Sequence, residues 1–401
     1  MSSLLLRGTV ATGDALWPGA WVALRDGLIA DVGEGPSPAG FGTPVELGER
    51  LIVPGFVDVH VHGGGGGQAA GGDPSDVAEQ VLRAARFHAS HGTTCMVATT
   101  VSDTAQRLGA TVAGVRIAMA AGPRDGAVVA GVHLEGPWLA PNRRGAHDPA
   151  TLRLPDPAEL EDLIDAAGGA VRVLTLAPEL EGAPAMIAAA RARGVVVSVG
   201  HTDATYVQAR AAFDAGARHL THLGNAMRGI DRREPGPIAA ALTDERVTVE
   251  LIADGHHVHP ALLALAASAA PDRVVAVTDA ISATGLPDGE HRLGALAVRV
   301  RDGRAVLADR PETLAGSVLT MDRAVATLVA AGVPPIDAIR AATATPARVL
   351  GDELSRGLLA PGARADLVVL DADYTAQATV IGGRVVHDPG GRLPTDPATA
   401  A

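Results

Sequence analysis

Pro54-Gly55-Phe56-Val57-Asp58-Val59-His60-Val61-His62-Gly63 is the stretch on which the reading of this chain turns. A β-branched run stops at a glycine-rich segment, the pattern of a buried strand that feeds a loop. His60 and His62 lie two apart, so on a strand their side chains share one face. Seven more such runs follow, at 93–100, 128–134, 171–177, 195–200, 218–222, 247–253 and 273–279, most of them separated by helix-like stretches. From Asp76 to His91, Val77, Val81, Leu82 and Ala85 recur mostly at three- and four-residue steps before Gly92 supplies a stop. Eight strands alternating with helices predict an α/β fold, a (β/α)8 TIM-like barrel, whose chemistry belongs where strands end and βα loops begin.

The flanks read differently. Residues 3–52 alternate short strands with turns, as in Gly19 to Arg25 before Asp26-Gly27, and strand patterns resume in 365–370 and 380–386. One small β-sandwich domain built from both termini is expected, with 1–52 and 358–396 as its parts and the barrel at 53–357; two unrelated β appendages are the alternative. The last ten residues, rich in Pro, Thr and Ala, read as a frayed tail.

Composition narrows the chemistry. Of 401 residues, 47% are apolar and 19% charged, enough to bury a sizeable core, and 48 Gly with 27 Pro imply many turns. All 33 basic residues are Arg, which excludes a lysine Schiff base, a Walker P-loop, a Ser-Lys pair and a metal site bridged by carboxylated lysine. A net charge of -12 argues against nucleic acid and anionic membranes as partners, although one or two local Arg suffice for a small phosphorylated ligand. The single Cys forms no intrachain disulfide, the first residues lack the pattern of a signal peptide, and the apolar run 261–270 is half a membrane span. A soluble, cytoplasmic chain is expected, with Cys95 as a buried, inert thiol.

Candidate site residues cluster at predicted strand ends. His60 and His62 could share a divalent cation or be solvated histidines, and Gly63 to Gly67 could be a flexible loop or a close backbone approach to a ligand. Glu135 closes the third strand as a ligand, a base or a turn cap; His201 and His222 close the fifth and sixth, and Asp279 the eighth. Their convergence on one barrel face would make four separate structural roles improbable. His133 reads as a hydrogen-bonded core histidine, His219 as facing away from His222, His88 and His91 as surface imidazoles near a helix end, and His291 and His387 as solvated. His256, His257 and His259 follow the seventh strand, where spacing alone does not choose among them. Arg232 and Arg233, like Arg143 and Arg144, form cationic spots that suit phosphate or a local pair with Glu234.

Taken together, the 54–63 stretch, His133-Leu134-Glu135-Gly136-Pro137-Trp138, Gly200-His201-Thr202-Asp203, Thr221-His222 with Asn225-Ala226-Met227, Arg233-Glu234-Pro235-Gly236, Asp254-Gly255-His256-His257-Val258, Thr278-Asp279-Ala280 and Ala315-Gly316-Ser317 resemble the amidohydrolase superfamily. Within it, the resemblance is to the branch that deacetylates N-acetylglucosamine 6-phosphate, and it covers nearly the whole chain. It implies that Glu135, His201 and His222 hold a principal divalent metal (Zn, Fe, Mn or Co), that His60 and His62 build a second site, and that Asp279 is general base and acid. It further implies His257 and Arg233 at the phosphate, Arg233 across a homodimer interface, with Asn225 and the Ala226 backbone assisting and His147 on the sugar. Gly224 departs from the pattern, standing where a bulky residue is usual, so a wider pocket floor is expected. The activity implied is metal-dependent hydrolysis of the acetamide of a sugar phosphate. The rivals are hydrolysis of another N-acylated amino sugar or N-acyl amino acid, and non-catalytic sugar-phosphate binding.

Overall fold

The computed structural model describes residues 3–122 and 125–394. The chain begins with β1 (Ser3–Thr12), β2 (Ala15–Arg25), β3 (Leu28–Gly33) and β4 (Val45–Pro54). Then come β5 (Phe56–Val61), a tiny hairpin of β6 (Gly63–Gly64) and β7 (Gly67–Gln68), and the helix α1 (Pro74–Ala89). The strands β8 (Thr93–Thr100), β9 (Val128–Glu135), β10 (Val171–Leu176), β11 (Val196–Val199), β12 (His219–Leu220), β13 (Thr248–Ile252) and β14 (Val274–Val277) follow, separated by helices. After them come β15 (Gly289–Leu293), β16 (Leu296–Arg301), β17 (Arg304–Leu307), and finally β18 (Leu367–Leu370), β19 (Ala376–Ile381) and β20 (Arg384–His387).

β5 and β8 to β14 pair in sequence order as one parallel eight-stranded sheet. The ring closes where Val61 bridges Ala280 and the Asp279 N–H donates to the His60 carbonyl at 2.9 Å. All six residues of β5 and all eight of β8 are buried, as expected of parallel strands covered by helices outside and packed side chains inside. This is the (β/α)8 barrel expected from the eight runs. The sixth strand is shorter than its run, two residues against five, because His222 at φ 27° has already left extended geometry.

The termini meet in one seven-stranded sheet of order β20-β19-β18-β4-β1-β2-β3. It folds back on itself: Leu28 of β3 bridges Arg364, just ahead of β18, and the Ile29 N–H donates to the Ala363 carbonyl at 2.8 Å. Leu6, Val22, Ile52, Leu367 and Val380 fill the core between its faces, separate from the barrel core. Residues 395–401, which hold most of the frayed tail and the end of the 358–396 segment, lie outside the described residues.

Two local expectations are corrected, and one element is added. α1 starts at Pro74 rather than Asp76, because the Asp73 carboxylate caps it by accepting from the Ser75 and Asp76 N–H groups at 2.9 and 3.0 Å. The 63–67 glycines are neither a loose loop nor a ligand cradle. They form the β6–β7 hairpin pressed on α1, where a Cβ on Gly64 would lie 2.7 Å from His88 Nε2 and one on Gly67 2.1 Å from the Gln80 carbonyl oxygen. The barrel also carries an antiparallel three-stranded insert, β15 to β17, with its own small core of Leu293, Val298, Val300 and Leu307. Its signal was the alternation Val298-Arg299-Val300-Arg301 ahead of the turn Asp302-Gly303.

Candidate functional site

Beneath the barrel mouth runs a hydrogen-bonded polar layer. His133 Nε2 pairs with Thr175 Oγ1 at 2.7 Å, Thr175 Oγ1 with Thr221 Oγ1 at 2.7 Å, and Thr221 Oγ1 with Ser198 Oγ at 2.6 Å. Buried polar groups this well partnered are rigid, and they form a floor for the groups above. His133 is thus the hydrogen-bonded core histidine read from its spacing, and burial pushes its pKa down to about 3.

Above that floor, six side chains from five strand ends converge. Glu135 Oε1, His201 Nε2 and His222 Nε2 lie 3.0–3.1 Å from one another. Two ligand atoms on one cation at about 2.0–2.1 Å from each are separated by roughly 3.0–3.4 Å. His62 Nε2 sits 3.2 Å from both Glu135 Oε2 and Asp279 Oδ1, and His60 Nε2 lies 3.4 Å from Glu135 Oε1. One carboxylate, Glu135, therefore serves two adjacent clusters of donor atoms. His201, His222 and Asp279 all have positive φ, at 45°, 27° and 49°, uncommon values for non-glycine residues that aim each side chain inward as its strand ends.

The tautomers are set from behind. His60 Nδ1 faces Glu250 Oε2 at 2.9 Å, His62 Nδ1 the Thr99 carbonyl at 3.1 Å, and His201 Nδ1 the Arg143 carbonyl at 2.9 Å. Carbonyls and ionised carboxylates only accept, so each Nδ1 carries the proton and each Nε2 turns a lone pair into the site. His60 Nε2 is buried without a hydrogen-bond partner. Aligned lone pairs, a shared carboxylate and this orphaned nitrogen fit a divalent cation, and the imidazole and carboxylate donors suit a first-row transition metal. Burial opposes charge on Glu135, yet His60 and His201 hold its carboxyl well below the usual range. Burial also raises Asp279, but His60 and His62 outweigh it and leave the carboxyl ionised.

The cavity over these groups measures ≈ 240 Å³. Asn225, Ala226 and His257 line one side and Val101, Ala146 and Leu293 another. His257 Nδ1 is held at 2.7 Å from Asp254 Oδ2, whereas His256 is exposed and His259 caps the following helix. His147 Nδ1 accepts from the Ser102 N–H at 3.1 Å, so its neutral ring carries the proton on Nε2, 3.3 Å from Glu135 Oε2.

Other expectations fall differently. Arg233 is exposed and does not line the cavity of its own chain; Glu234, rather than pairing with it, accepts from the Tyr206 and Gly236 N–H groups. Arg143 pairs with Asp203 at 2.8 Å. Gly224 is exposed, and a Cβ there would meet nothing within 4 Å. His219 turns inward, not away, because His222 lies beyond the strand and alternation does not carry across. His88 is fully buried, donating to the Gly63 carbonyl at 2.9 Å, and His291 and His387 are half-buried.

Two acids escaped the sequence reading. Glu250, fully buried on β13, accepts from His60, from His219 Nε2 at 2.9 Å and from the His222 N–H at 3.0 Å. Asp58, fully buried on β5, accepts from Thr278 Oγ1 at 2.5 Å and the His60 N–H at 3.2 Å, and burial lifts its pKa to about 7. Each was visible as a lone acid inside an apolar strand run.

Comparison with known proteins points the same way. N-acetylgalactosamine-6-phosphate deacetylase of Escherichia coli O157:H7 is 42% identical over 368 residues, spanning 90% of this chain and 93% of that protein. Human N-acetylglucosamine-6-phosphate deacetylase is 40% identical over 353 residues, 85% of this chain and 84% of that one. A mutant N-acetyl-D-glucosamine-6-phosphate deacetylase from Mycobacterium smegmatis, solved in complex with N-acetyl-D-glucosamine-6-phosphate, superposes with a TM-score of 0.90 at 44% identity, covering 96% of this chain and all of the other. Residues 51–386 match the Amidohydrolase family, and the chain belongs to that family.

Proposed function

We propose that this protein hydrolyses the acetamide of N-acetylglucosamine 6-phosphate to glucosamine 6-phosphate and acetate. The observation that carries this reading is the convergence of Glu135, His201, His222, His60, His62 and Asp279 beneath one small cavity, in a chain whose relatives carry that activity in their names. Glu135, His201 and His222 would hold the principal cation, and His60 and His62 together with Glu135 would hold a second. When bound, a divalent cation supplies Lewis acidity, lowering the pKa of water and polarising the amide carbonyl.

The chain's own groups do the rest. Asp279 takes a proton from the attacking water as the new C–O bond forms, then returns it to the nitrogen as the C–N bond breaks. His147, which lines the cavity with its Nε2–H beside Glu135 Oε2, contacts the sugar. His257, Asn225 and the Ala226 backbone hold the phosphate, far enough from the amide to orient it.

Arg233 reaches the phosphate only from a second copy of the chain. Its exposure fits that role, as do the exposed Ile230 and Val207 near its loop, at 60% and 72%. A homodimer with sites completed across the interface is therefore part of the reading. No helix among the described residues is long and apolar enough to cross a membrane.

A second reading follows from the relative at 42% identity, which is named for the galactosamine epimer. Acetate release from the 6-phosphates of N-acetylglucosamine and N-acetylgalactosamine, each beside its unphosphorylated parent, tests both. The main reading expects fast release from the glucosamine phosphate and little from the unphosphorylated sugars. Preference for the galactosamine phosphate would transfer the assignment to the epimer, and release independent of phosphate would contradict both.

A further inference from the structure

The corner of chain that follows His201 joins parts of the site that are far apart in sequence. The Asp203 carboxylate there takes donors from two other loops. Oδ1 accepts from Arg143 Nε and Nη2 at 2.9 and 2.8 Å, and Oδ2 accepts from Asn142 Nδ2 at 3.2 Å and Arg228 Nη2 at 3.0 Å. Arg228 Nε donates to the Asp203 carbonyl as well, at 3.0 Å.

Arg143 follows β9, on the segment that leads to His147, and Arg228 follows β12, just beyond Ala226. The Arg143 guanidinium is thus held by the same corner whose His201 Nδ1 donates to the Arg143 carbonyl at 2.9 Å. On the other side the Thr202 N–H donates to the Ala226 carbonyl and the Arg228 N–H to the Thr202 carbonyl, both at 3.1 Å.

Glu179, beyond β10, anchors the corner from a third loop, accepting from Thr202 Oγ1 at 2.5 Å and from the Asp203 N–H at 2.6 Å. A single half-exposed ion pair contributes little to stability. A carboxylate that grips planar guanidiniums fixes direction as well as distance, and one placed between two loops fixes the loops. His201 needs its Nδ1 acceptor in place to turn Nε2 toward a cation, and metal affinity changes when such an orienting acceptor shifts. Asn225 and the Ala226 backbone need a fixed distance from that cation to hold a phosphate while the amide lies over Glu135 and Asp279.

We propose that Asp203 is a positioning residue that ties the metal ligand His201, through Arg143, to the phosphate-holding loop at 225–228, through Arg228, so that one carboxylate sets both metal affinity and recognition of the phosphate end. Asp203 touches neither the metal nor the sugar phosphate; it acts through the loops it joins. The phosphate half of the inference rests on the deacetylase reading above, whereas the metal half rests on the His201–Arg143 bond and is measured without substrate.

The test compares the wild type with Asp203→Ala, Arg228→Met and the double variant. Zn²⁺ affinity is measured by competition with a chelator and no substrate present, and kcat and KM for N-acetylglucosamine 6-phosphate are measured at saturating metal. Asp203→Ala should bind Zn²⁺ about tenfold more weakly. Its KM should rise about fivefold or more while kcat at saturating metal stays within about threefold. Arg228→Met cuts only the phosphate side, so its KM should rise while its Zn²⁺ affinity stays within about twofold of wild type. The double variant should show a KM within about twofold of Asp203→Ala, because both changes break one link. Should Asp203→Ala fail to fold, Asp203→Asn, which keeps an acceptor oxygen, takes its place with smaller shifts in the same two quantities. A folded Asp203 variant in which either Zn²⁺ affinity or KM is unmoved, as for an ion pair that only lowers the unfolding temperature, would overturn the link, and so would KM effects that simply multiply in the double variant. Wild type that binds Zn²⁺ without turning over the sugar phosphate strikes the deacetylase reading and the phosphate half with it; Zn²⁺ affinity in Asp203→Ala then decides the metal half, upheld by the tenfold loss and overturned by none.

Discussion

Asp279 and Glu250 are both buried carboxylates near the same histidines, and their neighbours divide the work between them. Asp279 Oδ1 opens onto the cavity beside His62, so it can reach a reacting water. Glu250 has both oxygens taken by His60, His219 and the His222 N–H, so it orients rather than reacts. Replacing Asp279 by Asn keeps the shape and removes the base: kcat should fall by about 10²–10⁴-fold with metal content unchanged by elemental analysis. Replacing Glu250 by Gln exchanges one acceptor oxygen for a donor amide, and metal affinity should fall by about 10–100-fold in competition with a chelator, before any substrate is added. Unchanged affinity would show that the His60 tautomer does not depend on Glu250. Sequence spacing brought forward the strand-end residues, because a strand end is marked by the turn that follows it. It passed over Glu250 and Asp58, because a mid-strand acid reads as an exception in an apolar run until its partners, distant in sequence, are seen around the ring.

At the scale of elements, α1 and the β6–β7 hairpin behave as one unit. His88 looked like a surface imidazole because it lies near a helix end, but that turn of the helix carries the glycine hairpin. Burial pushes its pKa down to about 4, so the ring stays neutral where an unfolded chain's histidine would charge. The sign follows from linkage: between about pH 6.5 and pH 4 the unfolded state binds the extra proton, so stability falls as pH is lowered through that window. Imidazole 15N shifts should report His88 neutral and protonated on Nε2 at pH 5; a charged ring at that pH would contradict the buried packing. The insert makes a second test. Replacing Gly294 by Val forces a side chain against Val101 at a position where φ is 55°, so the hairpin tip should lift. A rise in KM of several-fold with unaltered metal content is expected, and an unchanged KM would detach the insert from the substrate cavity.

For the whole molecule, the barrel was legible because its eight runs are bounded by turns and spaced by helices, and every one of them holds a strand. The joined terminal sheet was legible as strand-rich flanks, although its pairing across more than 300 residues of chain leaves no trace in local pattern. The insert stayed hidden because it interrupts the βα alternation after β14, where a helix is the expectation. Association of two copies is a prediction at this scale: the protein should elute as a dimer by light scattering, and Arg233→Ala should raise KM for the phosphorylated substrate more than it lowers kcat. A monomer that turns over the sugar phosphate at full rate would remove Arg233 from the site.

The central claim is that the cluster around Glu135 works as a metal-dependent sugar-phosphate deacetylase with Asp279 as its base. The most direct measurement is acetate release from N-acetylglucosamine 6-phosphate by metal-stripped protein as a divalent cation is added back, for the wild type and for Asp279→Asn in parallel. The account predicts that wild-type turnover returns in step with one or two equivalents of bound metal, while Asp279→Asn binds the same metal and stays inactive. Turnover in the stripped protein, or full activity of the metal-loaded Asp279→Asn variant, would contradict it.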